Sequence, residues 1–280
     1  MPAVVIEIVE LEETAVADLR YLNASRRGGT EVCHLVIQRA RVLGLPEDLD
    51  AIIATSDLQG IVPDPRTREA TLLGVAVAEA LEELAFDGVL PPAARTGVIL
   101  AGDMYSVPEA NQRGGHGGVE AVWEAFAGPF AWVAGVAGNH DDVSAVRTDE
   151  RVVVLDTADA LLDGLRIGGV GLIAGNPAKI GRRGEDDQLE RIDLVAASGV
   201  DILVLHEGPR GGDAQLGHPL IRALIEEHGV PLTICGHVHW PSPLARHARG
   251  QVLNVDTRVI VMTRAESEER RPRAGSAARW

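Results

Sequence analysis

Two tetrapeptides, each directly after an apolar run, constrain this chain more than any other feature. They are Gly138-Asn139-His140-Asp141 and Gly236-His237-Val238-His239. The preceding runs, residues 131–137 and 232–235, have the length and apolar character of buried strands. Amide and imidazole groups are metal ligands, and open α/β sheets bind their ligands at the carboxyl ends of strands. The pattern therefore predicts a metal site along one edge of a sheet.

Other polar residues follow predicted strands in the same way. Asp57 follows the apolar run 51–56, Asp103 follows 97–101, and His206 follows 201–205. Taken singly, each aspartate fits a turn cap and the histidine fits a hydrogen-bonded core residue. Taken together with the tetrapeptides, they provide the carboxylate, amide and imidazole ligands that a pair of divalent ions needs. The set is Asp57, Asp103, Asn139, His206, His237 and His239.

Strand and helix patterns alternate along the chain, as in βα units. Apolar periodicity predicts helices at 67–85, 119–126, 185–197 and 219–227, with further strands at 151–155, 165–173, 252–255 and 259–262. The expected fold is α/β: a four-layer α/β/β/α sandwich of two mixed β-sheets flanked by helices, with the metal site at the carboxyl ends of strands.

Three segments are predicted along the chain. Residues 1–50 form an N-terminal extension with a strand at 4–9 and a helix at 31–43, and its role is left open. Residues 51–264 form the domain that carries the site. Residues 265–280 are rich in Arg, Glu and Ala without an apolar period, which predicts a flexible tail.

Composition limits the partners of this chain. The formal charge of −15 argues against a broad surface for polymeric nucleic acid. No export signal is recognised and no apolar run reaches about 18 residues, so neither secretion nor a membrane partner is expected. The two cysteines, Cys33 and Cys235, lie in apolar stretches and fit buried thiols in a reducing, cytoplasmic location. The oligomeric state is left open.

In this order, the motifs resemble those of the calcineurin-like metallophosphoesterases, from about residue 51 to residue 262. The resemblance implies a phosphoesterase domain with two divalent ions. Asp103 would bridge them; Asp57, His239 and position 59 would bind the first; Asn139, His206 and His237 would bind the second. It also implies in-line attack of a metal-bridging hydroxide on phosphorus, with His140 contacting the phosphate and protonating the leaving oxygen, and Asp141 orienting His140.

This chain departs from the family pattern at Gln59, where the family usually has a histidine. A neutral amide oxygen is a weaker donor than imidazole, which predicts a weakly bound first ion and a preference for Mn²⁺, with Fe²⁺ or Zn²⁺ as alternatives. Ser106 stands where the family often has a second aspartate. Tyr105, beside it, is an alternative ligand or phosphate contact.

Two basic or flexible segments are candidates for substrate contact, with a solvated loop as the alternative for both. They contain Arg113 and His116, and Arg182 and Arg183. The expected function is metal-dependent hydrolysis of a phosphate mono- or diester of a small metabolite or nucleotide. The alternatives are a nuclease or cyclic-nucleotide phosphodiesterase, or a non-catalytic scaffold with a degenerate first metal site.

Overall fold

The computed structural model describes residues 5–63 and 69–265. Its strands are β1 (Glu7–Ala24), β2 (Thr30–Leu43), β3 (Ala51–Ser56), β4 (Ile61–Pro63), β5 (Ala70–Leu72), β6 (Thr96–Leu100), β7 (Gly117–Gly118), β8 (Trp132–Gly135), β9 (Asp141–Asp142), β10 (Val152–Val154), β11 (Ala158–Leu162), β12 (Leu165–Val170), β13 (Ile173–Ala174), β14 (Arg182–Arg183), β15 (Ile202–Glu207), β16 (Leu232–Gly236), β17 (Leu244–His247), β18 (Gly250–Asn254) and β19 (Arg258–Arg264). The helices are α1 (Leu73–Phe86), α2 (Glu120–Ala127), α3 (Glu185–Ala197) and α4 (Pro219–His228), with a single 3-10 turn at Ala93–Arg95.

Two large mixed sheets form the body of the molecule. One has nine strands in the order β10-β8-β6-β3-β19-β2-β1-β4-β5, and the other has six in the order β11-β12-β15-β16-β18-β17. Strands β10, β8, β6 and β3 are parallel to one another, as are β12, β15, β16 and β18. Parallel neighbours point their carboxyl ends the same way, so the polar residues that follow them gather at one edge.

The two sheets pack face to face, and helices cover both outer faces. Strand β3 shows why: it is buried along its whole length and alternates between two cores. Ile52 and Ala54 pack against apolar residues of the six-stranded sheet, whereas Ala51 and Ile53 pack beneath α1 and α2. A third core joins α3 and α4 to the outer face of the six-stranded sheet. This arrangement confirms the predicted four-layer α/β/β/α sandwich.

The first 50 residues differ from the sequence prediction. Residues 31–43 lie in strand β2 and not in a helix, and β1 runs on from the predicted short strand to Ala24. Strand β2 pairs with β1 on one side and with β19 on the other. Leu35, Ile37, Ala40 and Val42 are buried there, so pairing and packing in the sheet outweigh local helix propensity.

Other differences are at element boundaries. Helix α1 begins at Leu73, later than predicted, because residues 70–72 form β5; the predicted start at residues 67–68 lies outside the described residues. Strand β11 was not predicted, and it pairs with β12 as a hairpin through Asp163 and Gly164. The predicted tail at 265–280 lies outside the described residues, apart from Ala265. No helix in the described part of the chain is long and apolar enough to cross a membrane.

Candidate metal centre

Residues at the ends of five strands of the two sheets meet at one edge of the sandwich. Asp57 follows β3, Asp103 follows β6, and Asn139 and His140 follow β8 in the nine-stranded sheet. His206 lies near the end of β15 and His237 directly follows β16 in the six-stranded sheet. The sheets touch here: His206 Nδ1 lies 2.8 Å from the carbonyl oxygen of Ala101, and the His237 N–H donates to Asp57 Oδ2 over 2.9 Å.

The backbone at this edge is tightly folded. Asp57, Asp103 and His237 have φ angles of 55°, 58° and 67°, in the left-handed region that side-chain-bearing residues seldom adopt. The glycines of the motifs allow close approach. A methyl group on Gly138 would overlap Asp103, and one on Gly236 would overlap Ser56 Oγ and Asp57 Oδ2. The motif glycines therefore let the loops lie close enough for the polar side chains to meet.

One compact group of ligands is already assembled. The ligand atoms of Asp103, His206 and His237 all lie within 4.8 Å of one another. His206 Nε2 lies 3.4 Å from Asp103 Oδ2 and 3.2 Å from Asn139 Oδ1. The ring centroids of His206 and His237 are 5.1 Å apart. A carboxylate, an amide oxygen and two imidazoles within this space fit a divalent ion. This is the set predicted for the second ion.

The side chains predicted for the first ion are less closely assembled. Gln59 Nε2 donates to Asp103 Oδ2 over 3.4 Å, and Asp57 Oδ2 accepts the Ser56 hydroxyl. His239 lies apart from the compact group: its side chain is 59% exposed, and its Nε2 lies 3.1 Å from Arg258 Nη2. The structure thus brings Asp57 and Gln59 to the edge but leaves the His239 imidazole beside a guanidinium.

Asp256 is a site residue that the sequence prediction missed. It is buried, and its backbone forms an isolated parallel β-bridge with Ser56. Its Oδ1 lies 3.6 Å from His239 Nδ1 and accepts the Thr257 hydroxyl over 2.7 Å. It lines the same cavity as Asp57 and Gln59. Asp256 closely follows the apolar run at 252–255, so the strand-end rule that selected Asp57 and Asp103 also applies to it.

Burial and mutual charge shift the pKa values of the carboxylates and imidazoles. Burial, reinforced by the charge of Asp256, raises the pKa of Asp57 to about 8. Burial opposes ionisation of Asp103, but the neighbouring His206 and His140 outweigh it and lower its pKa to about 2. The same ion pair overcomes burial at His206 and raises its pKa to about 10. Burial and the charge of His206 lower the pKa of His237 to about 4. At neutral pH, Asp57 and His206 therefore hold protons, whereas Asp103 and His237 do not.

Among the described hydrogen bonds, none joins the side chains of His140 and Asp141, which the sequence predicted to act as a pair. The Asp141 carboxylate accepts the backbone N–H groups of residues 103, 104, 105 and 138 over 2.7–3.0 Å. The prediction that Asp141 orients His140 is therefore wrong, because its oxygens hold the two metal-site loops together. The Gly115 carbonyl oxygen, 2.5 Å from Nδ1, orients the His140 ring. His140 Nε2 lies 3.9 Å from Asp103 Oδ2 at the edge of the cavity.

The predicted substrate contacts are divided among different places. Arg113 lines the cavity over the metal ligands, as do Tyr105 and Ser106. His116 lines a neighbouring pocket with Asp142, and the exposed Arg182 is close enough for its charge to lower the pKa of His237. Arg183 does not line the cavity over the metal ligands, and its guanidinium binds both carboxylate oxygens of Asp156 over 2.6–2.7 Å.

Comparisons with known proteins place this geometry in a family. The family model "Calcineurin-like phosphoesterase" matches residues 51–241, more than half of the chain. The chain therefore belongs to the calcineurin-like phosphoesterase family. No curated protein gives a significant match. Among solved structures, the chain is similar to TT1561 of Thermus thermophilus, with 15% identity and a TM-score of 0.45 over 75% of this chain and 90% of that one.

Proposed function

We propose that this chain is a metal-dependent phosphoesterase that hydrolyses a phosphate ester of a small metabolite or nucleotide. The convergence of Asp103, Asn139, His206 and His237 at one sheet edge, in a chain of this family, carries the proposal. Divalent ions bound there would supply an activated water and positive charge against the phosphate.

The protein's own groups have separable tasks in this proposal. Asp103, Asn139, His206 and His237 would hold one ion; Asp57, Gln59, Asp256 and His239 would surround the other, next to Asp103. His140 would donate a proton to the leaving oxygen through Nε2, because Nδ1 is engaged by the Gly115 carbonyl. Asp141 would hold the loops after β6 and β8 together through its backbone hydrogen bonds and would not contact the substrate.

Metal identity follows from the donors of the two sites. Carboxylates and an amide dominate around Asp57, which favours Mn²⁺ there over softer ions. The paired imidazoles of His206 and His237 suit Mn²⁺, Fe²⁺ and Zn²⁺ alike. We therefore propose Mn²⁺ as the ion that supports activity, with Fe²⁺ and Zn²⁺ as alternatives.

Reconstitution of the metal-free protein with each ion tests the proposal. Hydrolysis of p-nitrophenyl phosphate against its bis-ester separates a monoesterase from a diesterase, and so from the nuclease and cyclic-nucleotide alternatives. His140→Ala should lower the rate by about 100-fold or more, the range typical of a lost proton donor. Asp103→Asn should lower it by about 100-fold or more because it removes a carboxylate that would hold the metal ions. His228→Ala, on the surface of α4, is the control.

Gln59 and the contact between His239 and Arg258 favour one other candidate, a scaffold that keeps the fold without the chemistry. The same assay distinguishes it. If wild type, His140→Ala and Asp103→Asn all release p-nitrophenol at the same background rate with every metal, the enzyme proposal fails and the scaffold stands.

We also propose a cytoplasmic location. The two cysteines support it, because both are free thiols and Cys235 is buried between the sheet and its helices. Burial raises the pKa of the Cys235 thiol, so it is inert. Localisation of a tagged full chain by cell fractionation checks this proposal.

A further inference from the structure

The hairpin of β1 and β2 reaches from the edge of the large sheet to the metal centre. Leu22 pairs with Ile61, and the ring of Tyr21 packs against Gly60 in the loop that begins at Asp57. On the other side, Arg113 Nε donates to the Ala24 carbonyl oxygen over 3.3 Å. The end of the hairpin is thus held between the loop after β3 and the loop after β6, both of which carry metal-site residues.

The hairpin contributes one wall of the cavity above the metal ligands. This cavity has a volume of about 470 Å³, and its lining includes Asn23 and Arg26 from the hairpin and Arg113 from the loop after β6. His140, Asp57 and Asp256 lie on the side of the metal centre. A volume of this size holds a ligand well beyond a single phosphoryl group. A substrate whose phosphate lies at the metal ligands could therefore extend to the hairpin, so that the hairpin residues contact the part of the substrate that is released.

The charge on that wall selects the kind of group it can bind. Arg26 and Arg113 are exposed, and among the described residues neither has a carboxylate within ion-pair distance. The chain as a whole carries a formal charge of −15, whereas this side of the cavity presents two guanidiniums that no carboxylate of the described residues pairs with. Guanidinium groups bind phosphate and carboxylate by paired, charge-assisted hydrogen bonds.

We propose that Arg26 and Arg113 form a binding site for a second anionic group of the substrate. This inference rests on the proposed phosphoesterase function and gives its substrate class: a small molecule with the scissile phosphate ester at the metal ligands and a second phosphate or carboxylate at the hairpin. Asp57 and Asp256 also line this cavity, and divalent ions held at the metal centre would offset the repulsion between their carboxylates and the substrate.

Matched pairs of substrates test this proposal in the metal-loaded protein. Adenosine 5′-monophosphate is compared with adenosine 3′,5′-bisphosphate, and glycerol 3-phosphate with 3-phosphoglycerate, by phosphate release. The ratio of kcat/KM within each pair measures how much the second anionic group improves the substrate. The first pair tests a second phosphate, and the second pair tests a carboxylate. We expect wild type to prefer the doubly anionic member of at least one pair by about tenfold or more.

Variants assign that preference to the two arginines. Arg26→Ala and Arg113→Ala should each reduce the ratio by about tenfold through a higher KM, and Arg113→Lys should retain part of it because the charge is kept. Arg27→Ala is the matched control, since Arg27 lies in the same turn but does not line the cavity. Thermal unfolding of each variant shows whether the hairpin remains folded.

The outcomes separate this inference from the proposed function. Hydrolysis with no preference within either pair, or a preference that both alanine variants retain, overturns the anion site and leaves the phosphoesterase intact. Absence of metal-dependent hydrolysis of every ester overturns both. A preference that falls in Arg26→Ala and Arg113→Ala but not in Arg27→Ala supports the site.

Discussion

Gln59 places a neutral amide beside the carboxylates of Asp57 and Asp103. The amide donates to Asp103 Oδ2 over 3.4 Å, so in this structure it uses its nitrogen where a metal ligand would use its oxygen. Because the two amide ends can exchange by rotation, Gln59 can still act as a ligand, but a weak and neutral one. The first ion should therefore bind less tightly than the second.

Gln59→His should strengthen the weaker of two metal-binding events. An added imidazole is a better donor than an amide, and we expect about a tenfold gain in affinity for that ion. Calorimetric titration of the metal-free protein with Mn²⁺ measures the two affinities separately. Gln112→His, in the same cavity but beyond the ligand set, is the control. Unchanged affinity and occupancy in Gln59→His would sink this prediction.

Asp256→Asn should weaken the same ion. The Asp256 carboxylate lies 3.6 Å from His239 and raises the pKa of Asp57, so the two acids share a region of strong negative potential. Removing one charge should lower the affinity of the first ion by about tenfold while sparing the second. Electron paramagnetic resonance reports spin coupling between two Mn²⁺ ions, and that coupling should decline. Asp142→Asn is the control; equal coupling in both variants would contradict a role for Asp256.

The sequence predicts which residues lie at this edge, but it does not predict several of the hydrogen-bond partners of those residues. Strand-end residues such as Asp103 and His237 are predictable because a strand of known direction fixes where its last residue lies. The contact between Arg258 and His239 depends on how β19 sits against the loop after β16. The four backbone N–H groups that Asp141 accepts likewise come together only in the folded chain.

The β1–β2 hairpin shows where local patterns mislead at the level of elements. Residues 31–43 have apolar positions that a helical period also accommodates, and that pattern does not show which strands they pair with. Those partners are β1, immediately before, and β19, more than 200 residues later. Helices α3 and α4, in contrast, begin and end close to the predicted positions because their signals are local.

Gly236→Ala tests how closely the two sheets approach at the metal edge. The added methyl group would overlap Ser56 Oγ and Asp57 Oδ2, which belong to β3 and the loop after it in the opposite sheet. We expect a loss of about 1–3 kcal/mol in the free energy of unfolding. Urea unfolding measures it.

Gly128→Ala is the matched control for that substitution. Its nearest contact, the Glu124 carbonyl oxygen at 3.7 Å, is an ordinary packing distance, and its φ of −59° suits alanine. It should leave stability nearly unchanged. If Gly236→Ala were as stable as wild type, the edge would be more open than the structure indicates.

At the scale of the whole molecule, the metal edge is a cluster of charges held between two well-packed sheets. The cores on both sides of each sheet are apolar and continuous, so they neither need nor tolerate charge. The polar groups collect where the strands end, and the metal-free protein balances them with protons. The stability of the metal-free protein should therefore depend on pH through this edge.

Metal-free protein should lose stability as the pH rises from about 6 to 9. The pKa of His206 is raised from 6.5 to about 10, so its ion pair with Asp103 stabilises fully below pH 6.5 and is lost as the pH rises through 10. The pKa of Asp57 is raised from 3.8 to about 8, so the cost of ionising it grows over pH 3.8–8. Both effects lower the stability of the folded protein as the pH rises. The melting temperature of chelator-treated protein, measured at intervals across this range, checks it.

His206→Asn should flatten this pH dependence, because it removes the imidazolium that Asp103 pairs with. His228→Asn, which loses only an ion pair with Asp193 on the surface, should retain the wild-type slope. Metal ions replace the protons at Asp57 and His206, and they bind better as those groups lose protons. Added Mn²⁺ should therefore raise the melting temperature more at pH 8 than at pH 6. A melting temperature of the metal-free protein that rises between pH 6 and 9, or a slope that His206→Asn leaves unchanged, would show that these buried groups do not control stability.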